Sequence, residues 1–315
     1  MIRLFSHEDL DGVGCGIVAR AYFGANVDID YCNHAMVNFL VEEMCVTGTF
    51  KDYEKIYITD ISVNEEIAEL IEETCKDRVL LLDHHVSAMW LNNYNWAKVR
   101  IEHQNGQKAC GSSLFFSYLS LTHDNPMPEK VWDTLKMFVE RVRMFDTWDW
   151  VEHNDLNAKA LADLQRITDK QAFEKSMIEK IFRVNSIEFS YEENLLLKNE
   201  QERIIRYLQG YTDDKVYRVN YLNSKVGVVF AEQNTSELGN YLVKNYENEF
   251  DFIVLVNLSQ KTFSYVRGNK GAMNLGEVAK LRGGGGHEKA AGSPIKDETI
   301  KELLNVLFFD FKTGG

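Results

Sequence analysis

Residues 78–85 read Arg-Val-Leu-Leu-Leu-Asp-His-His, an apolar run that ends abruptly in three polar residues. The apolar part shows almost no alternation, which is typical of a strand in a parallel sheet with both faces covered. Polar side chains that directly follow such a strand lie at the carboxyl end of the sheet, where open α/β sheets bind their ligands. The stretch therefore predicts a parallel α/β fold and the edge at which its chemistry takes place.

Upstream of this strand, β-rich runs alternate with segments of helical character. A glycine- and alanine-rich helix is expected at 12–22, and Ser62 with Glu65 fits a capping box that opens another helix. This order of strands and helices predicts a parallel sheet flanked by helices. The predicted strands before 78–82 are 2–5, 27–32 and 55–59.

The rest of the chain predicts more helices and then a second α/β unit. Residues 160–210 are charged and helical in pattern, with the longest helix expected at 187–208. We predict a parallel-sheet domain at 1–155, a helical connector at 156–212 and a smaller α/β domain at 213–315. The other predicted helices are 111–121, 129–145, 236–246 and 274–281. The predicted strands of the second unit are 216–222, 225–231, 252–258 and 262–267. A loop is expected at 125–128 and a frayed tail at 313–315.

The bulk composition is that of a globular protein without a membrane span. The chain has 315 residues, of which 45% are hydrophobic and 26% charged. Its five cysteines include no CxxC pair, which favours reduced thiols and a cytoplasmic protein. We identify no apolar run that would cross a bilayer and no signal peptide at the N-terminus. The net charge of −13 argues against coating of long nucleic acid, and the oligomeric state stays open, a homodimer included.

Four clusters of acids and histidines fall directly after predicted strands or at a helix end. Taken alone each has an ordinary explanation, since an aspartate such as Asp60 is typical of a turn or a helix cap. Gathered on one rim, however, they would repel and desolvate one another unless cations lay among them. Mixed histidine and carboxylate ligands suit two divalent cations, Mn²⁺ before Mg²⁺ or Co²⁺, about 3.5–4 Å apart with a bridging carboxylate. The clusters are His7, Asp9 and Asp11; Asp60; Asp83, His84 and His85; and Asp146.

These motifs resemble those of a known superfamily. The triplet at 83–85, preceded by His-x-Asp-x-Asp at 7–11 and by Asp60, resembles the signature of the DHH phosphoesterases. Residues 283–292, Gly-Gly-Gly-Gly-His-Glu-Lys-Ala-Ala-Gly, resemble the GGGH motif of the accompanying DHHA1 domain. The resemblance covers nearly the whole chain in the family's order. It implies a catalytic DHH domain, a DHHA1 substrate-binding domain and hydrolysis of phosphoesters by metal-activated water.

The resemblance also implies a role for each residue of the clusters. Asp83 would orient an imidazole by accepting its distal N–H. His85 would face the phosphate or the leaving oxygen of the substrate. The implied metal ligands are His7 and Asp9 for one ion, Asp11, His84 and Asp146 for the other, and Asp60 as the bridge between them.

The glycine run has a physical interpretation of its own. Consecutive glycines permit positive φ and close backbone approach, so the N–H groups at 283–286 can form an anion-binding nest. From 261 to 289 there are six basic residues against two acidic ones, which suits a phosphate but also fits a solvated charged face. The alternative for the glycines is a flexible loop between two helices. The predicted substrate-binding residues are Arg267, Arg282, Gly284, Gly285, Gly286 and His287.

Several substrates fit the resemblance. The GGGH motif disfavours a family II pyrophosphatase, and the length disfavours a large exonuclease of long single-stranded DNA. The opening motif and residues 145–148 look most like the nanoRNase B type, which implies degradation of short oligoribonucleotides to mononucleotides. A phosphatase of 3′-phosphoadenosine 5′-phosphate, a hydrolase of linear dinucleotides and an inactive nucleotide-binding regulator are the alternatives. Trp148 and Trp150 follow this motif, and aromatic residues at a helix end are more often core.

Overall fold

The computed structural model describes residues 1–125, 127–268 and 270–308 and divides into two compact units, Met1–Lys198 and Asn199–Gly315. Each unit carries one sheet, and the first sheet is entirely parallel, which confirms the predicted α/β fold. Pro126 in the predicted loop and the predicted tail at 313–315 lie outside the described residues. The predicted domain boundaries at 155/156 and 212/213 stay predictions.

The first sheet places three strand ends side by side. Its strand order is β2-β1-β3-β4-β5, so that β3 lies between β1 and β4. Ser6 is opposite Thr59, and Thr59 is opposite Leu82. The residues that follow these three positions therefore meet at one edge. The strands are β1 (Ile2–Ser6), β2 (Val27–Tyr31), β3 (Lys55–Thr59), β4 (Val79–Asp83) and β5 (Ala97–Val99).

Helices cover both faces of this sheet. Leu80 and Leu82 of β4 point into one core, whereas Leu81 points into the other. Alternate side chains of a strand face opposite sides of the sheet, so two covered faces require the unbroken apolar run of β4. The helices are α1 (Leu10–Phe23), α2 (His34–Thr47), α3 (Glu65–Thr74), α4 (Gly111–Thr122), α5 (Glu129–Asp146), α6 (Asp149–His153), α7 (Leu156–Ile167), α8 (Lys170–Glu179) and α9 (Tyr191–Gln209).

The start of α3 differs from the prediction. Asn64, rather than Ser62, is the N-cap, and its side chain accepts a hydrogen bond of 2.9 Å from the amide of Ile67. The hydroxyl of Ser62 instead donates to the carboxylate of Asp83. The predicted capping box is therefore wrong, because the Ser62 hydroxyl makes a charge-assisted hydrogen bond to a buried carboxylate and Asn64 accepts the helix amide in its place.

The second unit has a mixed sheet of strand order β10-β11-β9-β8-β7-β6, in which β7 and β8 pair in parallel and the other neighbours are antiparallel. The glycine run forms a turn after α11 and then the short strand β10. The interpretation of this run as a loop between two helices is therefore wrong. The strands are β6 (Tyr217–Tyr221), β7 (Ser224–Phe230), β8 (Phe252–Asn257), β9 (Thr262–Val266), β10 (Gly285–Gly286) and β11 (Ala290–Pro294). The helices are α10 (Thr235–Asn245), α11 (Leu275–Lys280) and α12 (Asp297–Phe308).

Over the described ranges of both units, no helix combines the length and the apolar character that crossing a bilayer would need.

Candidate metal centre

The ends of β1, β3 and β4 bring the predicted clusters together at one edge of the first sheet. One group consists of His7, Asp9 and Asp60, whose nearest ligand atoms all lie within 4.8 Å of one another. Asp11, His84 and Asp146 form a second group with the same spacing limit. Asp60, Asp83, His84 and His85 form a third group within the same limit, so segments far apart in the sequence supply overlapping sets of histidine and carboxylate atoms.

Asp60 belongs to the first group and also approaches the second group. Its Oδ2 atom is 4.0 Å from Nδ1 of His7, and its Oδ1 atom is 3.2 Å from Nε2 of His84. The same His84 nitrogen is 3.8 Å from Asp11 Oδ2 and 3.6 Å from Asp146 Oδ2. One carboxylate therefore presents an oxygen to each group, which is the arrangement that a bridging ligand requires.

Asp60 holds a backbone conformation that is uncommon for its residue type. Its φ is 58°, in the left-handed region, and its amide donates to the carbonyl of Leu82 across the sheet at 3.0 Å. A Cβ atom at Gly111 would lie 2.4 Å from the Cβ of Asp60, so only glycine fits there. Strained backbone of this kind persists where the surroundings fix it, commonly at functional sites.

Helix α4 holds Asp11 with its N-terminus. The amides of Gly111 and Ser112 donate to the two oxygens of the buried Asp11 carboxylate, the second at 2.9 Å. A helix N-terminus favours negative charge, and this contact fixes the direction of the Asp11 carboxylate. Gly111 and Ser112 were not predicted to belong to the site, because backbone donors leave no side-chain signal. The small residues at the start of α4 were the only feature of the amino-acid pattern that could have indicated an accessible helix N-terminus.

Asp83 is fully buried and orients the second histidine of the triplet. Its Oδ1 atom lies 2.7 Å from Nδ1 of His85 and accepts the amide of His84, also at 2.7 Å. Ser62 donates to the other oxygen. Burial opposes ionisation of Asp83, but the hydrogen bond from His85 and its charge hold the pKa of this carboxyl below its usual range. The Asp83 carboxylate in turn raises the pKa of His85.

Unsatisfied polar atoms show that this edge fits cations. His7 Nδ1, Asp60 Oδ2 and His84 Nε2 are buried and make no hydrogen bond of good geometry among the described residues, although His7 Nδ1 lies 2.9 Å from Asp9 Oδ2 and His84 Nε2 lies 3.2 Å from Asp60 Oδ1. Burial, followed by the nearby Asp11 and Asp9 carboxylates, raises the pKa of Asp60 well above its ordinary value, and the same causes raise the pKa of Asp146 to about 8. Burial also lowers the pKa of His84, which keeps its imidazole in the neutral form that ligates metals. Divalent cations would satisfy these atoms and remove the repulsion.

A buried arginine fixes the turn that follows Asp146. The guanidinium of Arg143, only 4% exposed, donates to Asp149 at 2.6 Å and to Glu140 at 2.7 Å. Lys108 reaches the same turn, with Nζ 3.3 Å from the carbonyl oxygen of Thr147. The end of α5, and with it the backbone that carries Asp146, is thereby held from two sides.

Two aromatic residues near the clusters were missed or misjudged. The ring of His34, at the start of α2, lies with its centroid 5.9 Å from that of His7. Trp148 has a φ of 64° and is 63% exposed, so the expectation that it belongs to the core is wrong. Its ring centroid lies 6.2 Å from that of the partly buried Trp150. The left-handed backbone turns Trp148 away from the helix stripe, which the amino-acid pattern does not reveal.

The predicted phosphate-binding arginine of the second unit has partners within the chain. Arg267 follows β9, is buried, and donates to the backbone carbonyls of Glu288 and Gly268 at 3.2 and 3.0 Å. It also forms an ion pair with the carboxylate of Glu288. Arg282 is exposed and lies over the rings of Tyr221 and Phe263.

The glycine run combines a tight turn with an edge strand. The amide of Gly284 donates to the carbonyl of Ala279 at 2.9 Å, so this donor is used inside the chain. A Cβ at Gly284 would lie 2.1 Å from the carbonyl oxygen of Gly292, and Gly286 has a φ of 141°. Close packing and backbone conformation therefore require glycine at both positions. His287 is exposed beside them, with its amide bonded to the carbonyl of Ala290.

Comparison with characterised proteins identifies a relative along most of the chain. The chain is 36% identical over 314 residues to the oligoribonuclease NrnB of Bacillus subtilis strain 168, an alignment that covers 98% of this chain and 76% of that protein. No family model matches the sequence.

Solved structures share the fold at low identity. The DHH domain of a member of a ribosomal-protein family superposes with a TM-score of 0.57 at 14% identity, covering 96% of this chain and 84% of that one. The pGpG-specific phosphodiesterase PggH of Vibrio cholerae has a TM-score of 0.50 at 12% identity, with both chains covered completely. At such identities the likeness bears on the fold alone.

Proposed function

Because the chain belongs to the DHH phosphoesterase superfamily and is similar along most of its length to the oligoribonuclease NrnB, we propose that it is a two-metal phosphodiesterase that degrades short oligoribonucleotides to mononucleotides. Membership makes it a metal-dependent phosphoesterase. The number of ions, the use of Mn²⁺ and the substrate are the further steps of this proposal.

The observation that carries the proposal is the position of Asp60. Its two oxygens face separate groups of ligand atoms, one towards His7 and one towards His84. A single-ion site would leave one group of buried atoms unsatisfied, at a cost of about 1–3 kcal/mol for each uncharged polar atom and more for a charged one. Two cations satisfy both groups, and the mixture of imidazole and carboxylate favours Mn²⁺ over Mg²⁺.

In this proposal each residue has a separate role in hydrolysis. We assign His7 and Asp9 to one ion, Asp11, His84 and Asp146 to the other, and Asp60 to both. When bound, such ions supply charge that neutralises phosphoryl oxygens and acidifies the attacking water. His85, held by Asp83, would hold a proton at its ring nitrogen opposite Nδ1 and donate it to the leaving oxygen. Ser62 keeps Asp83 oriented for this step.

The second unit is proposed to bind the phosphates of the substrate. Arg267, Arg282 and His287 are the polar side chains, and Gly285 and Gly286 allow a close approach of the backbone. Gly284 contributes by packing, because its amide already donates to Ala279. With a net charge of −13, these local donors suit a short anionic substrate better than a long one.

A ladder of labelled RNA tests the proposal. The full chain is incubated with Mn²⁺ and RNAs of two to ten nucleotides, and with EDTA or the Asp60→Asn variant as controls. We expect the shortest RNAs to be hydrolysed fastest, with release of mononucleotides and no turnover in either control. Equal turnover at all lengths, or none with Mn²⁺, Mg²⁺ and Co²⁺, would contradict it.

The same assay distinguishes the other candidates. Release of inorganic phosphate from 3′-phosphoadenosine 5′-phosphate, without cleavage of RNA, would assign a phosphatase. Cleavage confined to dinucleotides would assign a linear dinucleotide hydrolase, and tight nucleotide binding without product would assign a regulator. The proposed site of action is the cytoplasm, which agrees with five cysteines that are all free and buried.

A further inference from the structure

The first unit has a cavity beside its edge strand. It has a volume of about 720 Å³ and lies between the edge strand β5, the segment 100–107 and helices α4 and α5. None of its described lining residues belongs to the proposed metal ligands. Its volume falls within the range of about 300–1,000 Å³ that small-molecule sites occupy.

Positive charge surrounds this cavity in a strongly acidic chain. Lys98, Arg100 and Lys136 line it, and none of them forms an ion pair with a described carboxylate. The carboxylate of Glu140, which also lines it, is bonded by Arg143 and by Gln107. Three uncompensated cations in a chain of net charge −13 concentrate positive potential at this place. An anionic ligand complements it.

The interior of the cavity is apolar and partly aromatic. Leu82, Leu114, Phe116 and Val139 are buried and form its floor, and Tyr118 is partly exposed beside them. This surface accommodates a flat ring of low polarity.

Amide side chains complete the lining. Gln104 and Asn105 line the cavity and are exposed; Gln104 offers a donor and an acceptor, whereas the Asn105 oxygen already accepts from the amide of Gln107 at 3.1 Å and its NH2 group is the donor that it offers. His103, whose Nε2 lies 2.9 Å from the hydroxyl of Ser113, adds a further polar group. Donor and acceptor pairs of this kind suit the edge of a nucleobase.

From cations, apolar floor and amides in one cavity, we propose that it binds a nucleoside monophosphate. The phosphate lies on Lys98, Arg100 and Lys136, and the base lies against the apolar floor. The occupant is a small molecule, because the three cations surround one cavity and do not continue as a stripe that would follow a polynucleotide. This site is additional to the proposed metal centre and does not depend on its activity.

Calorimetric titration with adenosine 5′-monophosphate in EDTA tests the proposal on the full chain. We expect the cavity to bind the nucleotide with equal affinity in the wild type and in Asp60→Asn. The variant Lys98→Gln, Arg100→Gln, Lys136→Gln should bind at least tenfold more weakly. A matched variant, Lys175→Gln, Arg183→Gln, Lys198→Gln, removes the same charge from exposed positions elsewhere and should bind like the wild type.

Several outcomes would overturn the proposal. The first is that the wild type does not bind the nucleotide at millimolar concentration. The second is that both triple variants lose nucleotide affinity equally, and the third is that Asp60→Asn abolishes binding. Thermal melting checks that the variants fold, and the single variant Lys136→Gln, with an expected loss of about threefold, replaces the triple one if it does not. A change in mass by light scattering without a change in nucleotide affinity would assign the face to contact between copies instead. Since RNA hydrolysis is not the readout, failure of the proposed function leaves this test intact.

Discussion

The edge of the first sheet and the glycine run of the second contrast in how their polar atoms are satisfied. At the first, buried atoms of His7, Asp60 and His84 make no hydrogen bond of good geometry among the described residues. At the second, Arg267 is paired with Glu288, and the Gly284 amide with a carbonyl. Both regions were predicted to bind a charged ligand, but only one of them is left incomplete by the chain itself.

This difference separates two kinds of binding. A buried polar atom without a partner costs free energy until its ligand arrives, so the ligand is retained as part of the structure. A site whose donors already have partners exchanges one partner for another, and the net gain is smaller. We therefore expect the first region to retain its ions and the second to release substrate readily.

Removal of the Asp60 carboxylate, which faces both groups of ligands, should have the largest effect on turnover. Asp60→Asn keeps the shape but weakens the ligand to both ions, so we expect turnover to fall by roughly a thousandfold or more, as for loss of an oriented active-site group. Plasma mass spectrometry of the protein should find fewer ions per chain. Asp133→Asn, at an exposed position, is the control. Full activity with Asp60→Asn would contradict the assignment.

Removal of the ions should expose the repulsion between the carboxylates. The folded pKa of Asp146 is about 8 and that of Asp60 is also raised, whereas both titrate near about 4 when unfolded. Raised folded pKa values contribute stability that is complete below about pH 4 and is lost as the pH rises towards about 8. In EDTA the melting temperature should therefore fall between pH 5 and pH 8, and Mn²⁺ should restore it at pH 8. Asp146→Asn should reduce this dependence, and a higher melting temperature at pH 8 in EDTA would contradict it.

Loss of the hydroxyl behind Asp83 should reduce kcat rather than metal content. Ser62→Ala leaves one oxygen of a fully buried carboxylate without its donor, so His85 is held less well. Partners that orient such groups are typically worth about 10- to 100-fold in activity. Steady-state kinetics with metal analysis measures both effects. Ser62→Thr keeps a hydroxyl and should retain most activity; equal losses in both variants would point to packing.

Two substitutions in the second region should have opposite effects on KM. Arg267→Ala should raise KM by about tenfold with little change in kcat, because a charge-assisted contact to phosphate is lost. Glu288→Gln should lower KM, because the carboxylate that occupies Arg267 is removed. Kinetics with a short RNA measures both. An increase of KM in Glu288→Gln would show that the ion pair positions Arg267 instead of competing with phosphate.

Substitution of Trp148 should change KM less than the other substitutions change activity. An exposed indole close in sequence to Asp146 is suited to stack on a base, and stacking is worth about 1 kcal/mol or more, which corresponds to roughly fivefold in KM. Trp148→Ala should show this loss, whereas Trp148→Phe should retain most of the affinity. An unchanged KM in Trp148→Ala would remove the indole from the substrate site.

Much of this arrangement follows from the sequence because parallel strands end at one edge. The uninterrupted run before Asp83 predicts a covered strand, and the polar residues after it predict the ligand edge. In the second unit the periodicity predicted β6 to β9, α10 and α11, whereas β10, β11 and α12 were not predicted. The proximity of His7, Asp60, His84 and Asp146 was thereby predictable, although their roles stay proposals.

The remainder depends on contacts that carry no local pattern. The amides that bind Asp11 belong to the backbone of α4, a hundred residues away along the chain. Ser62 matches a helix cap equally well, and only the buried carboxylate decides its partner. The pairing of Arg267 with Glu288 and the exposure of Trp148 depend on a turn and on a left-handed residue. Such contacts appear only once the chain is folded.

The dispersal of the ligands between His7 and Asp146 also has a consequence for biosynthesis. A nascent chain cannot complete the pair of ion sites until the end of α5 has left the ribosome, because the second site needs Asp146, and α4, whose N-terminus holds Asp11, is synthesised before α5. Metal uptake would therefore come late in the maturation of the first unit and would act as a sign that this unit is assembled. Chains that stall before Asp146 would carry the DHH triplet without the means to load it.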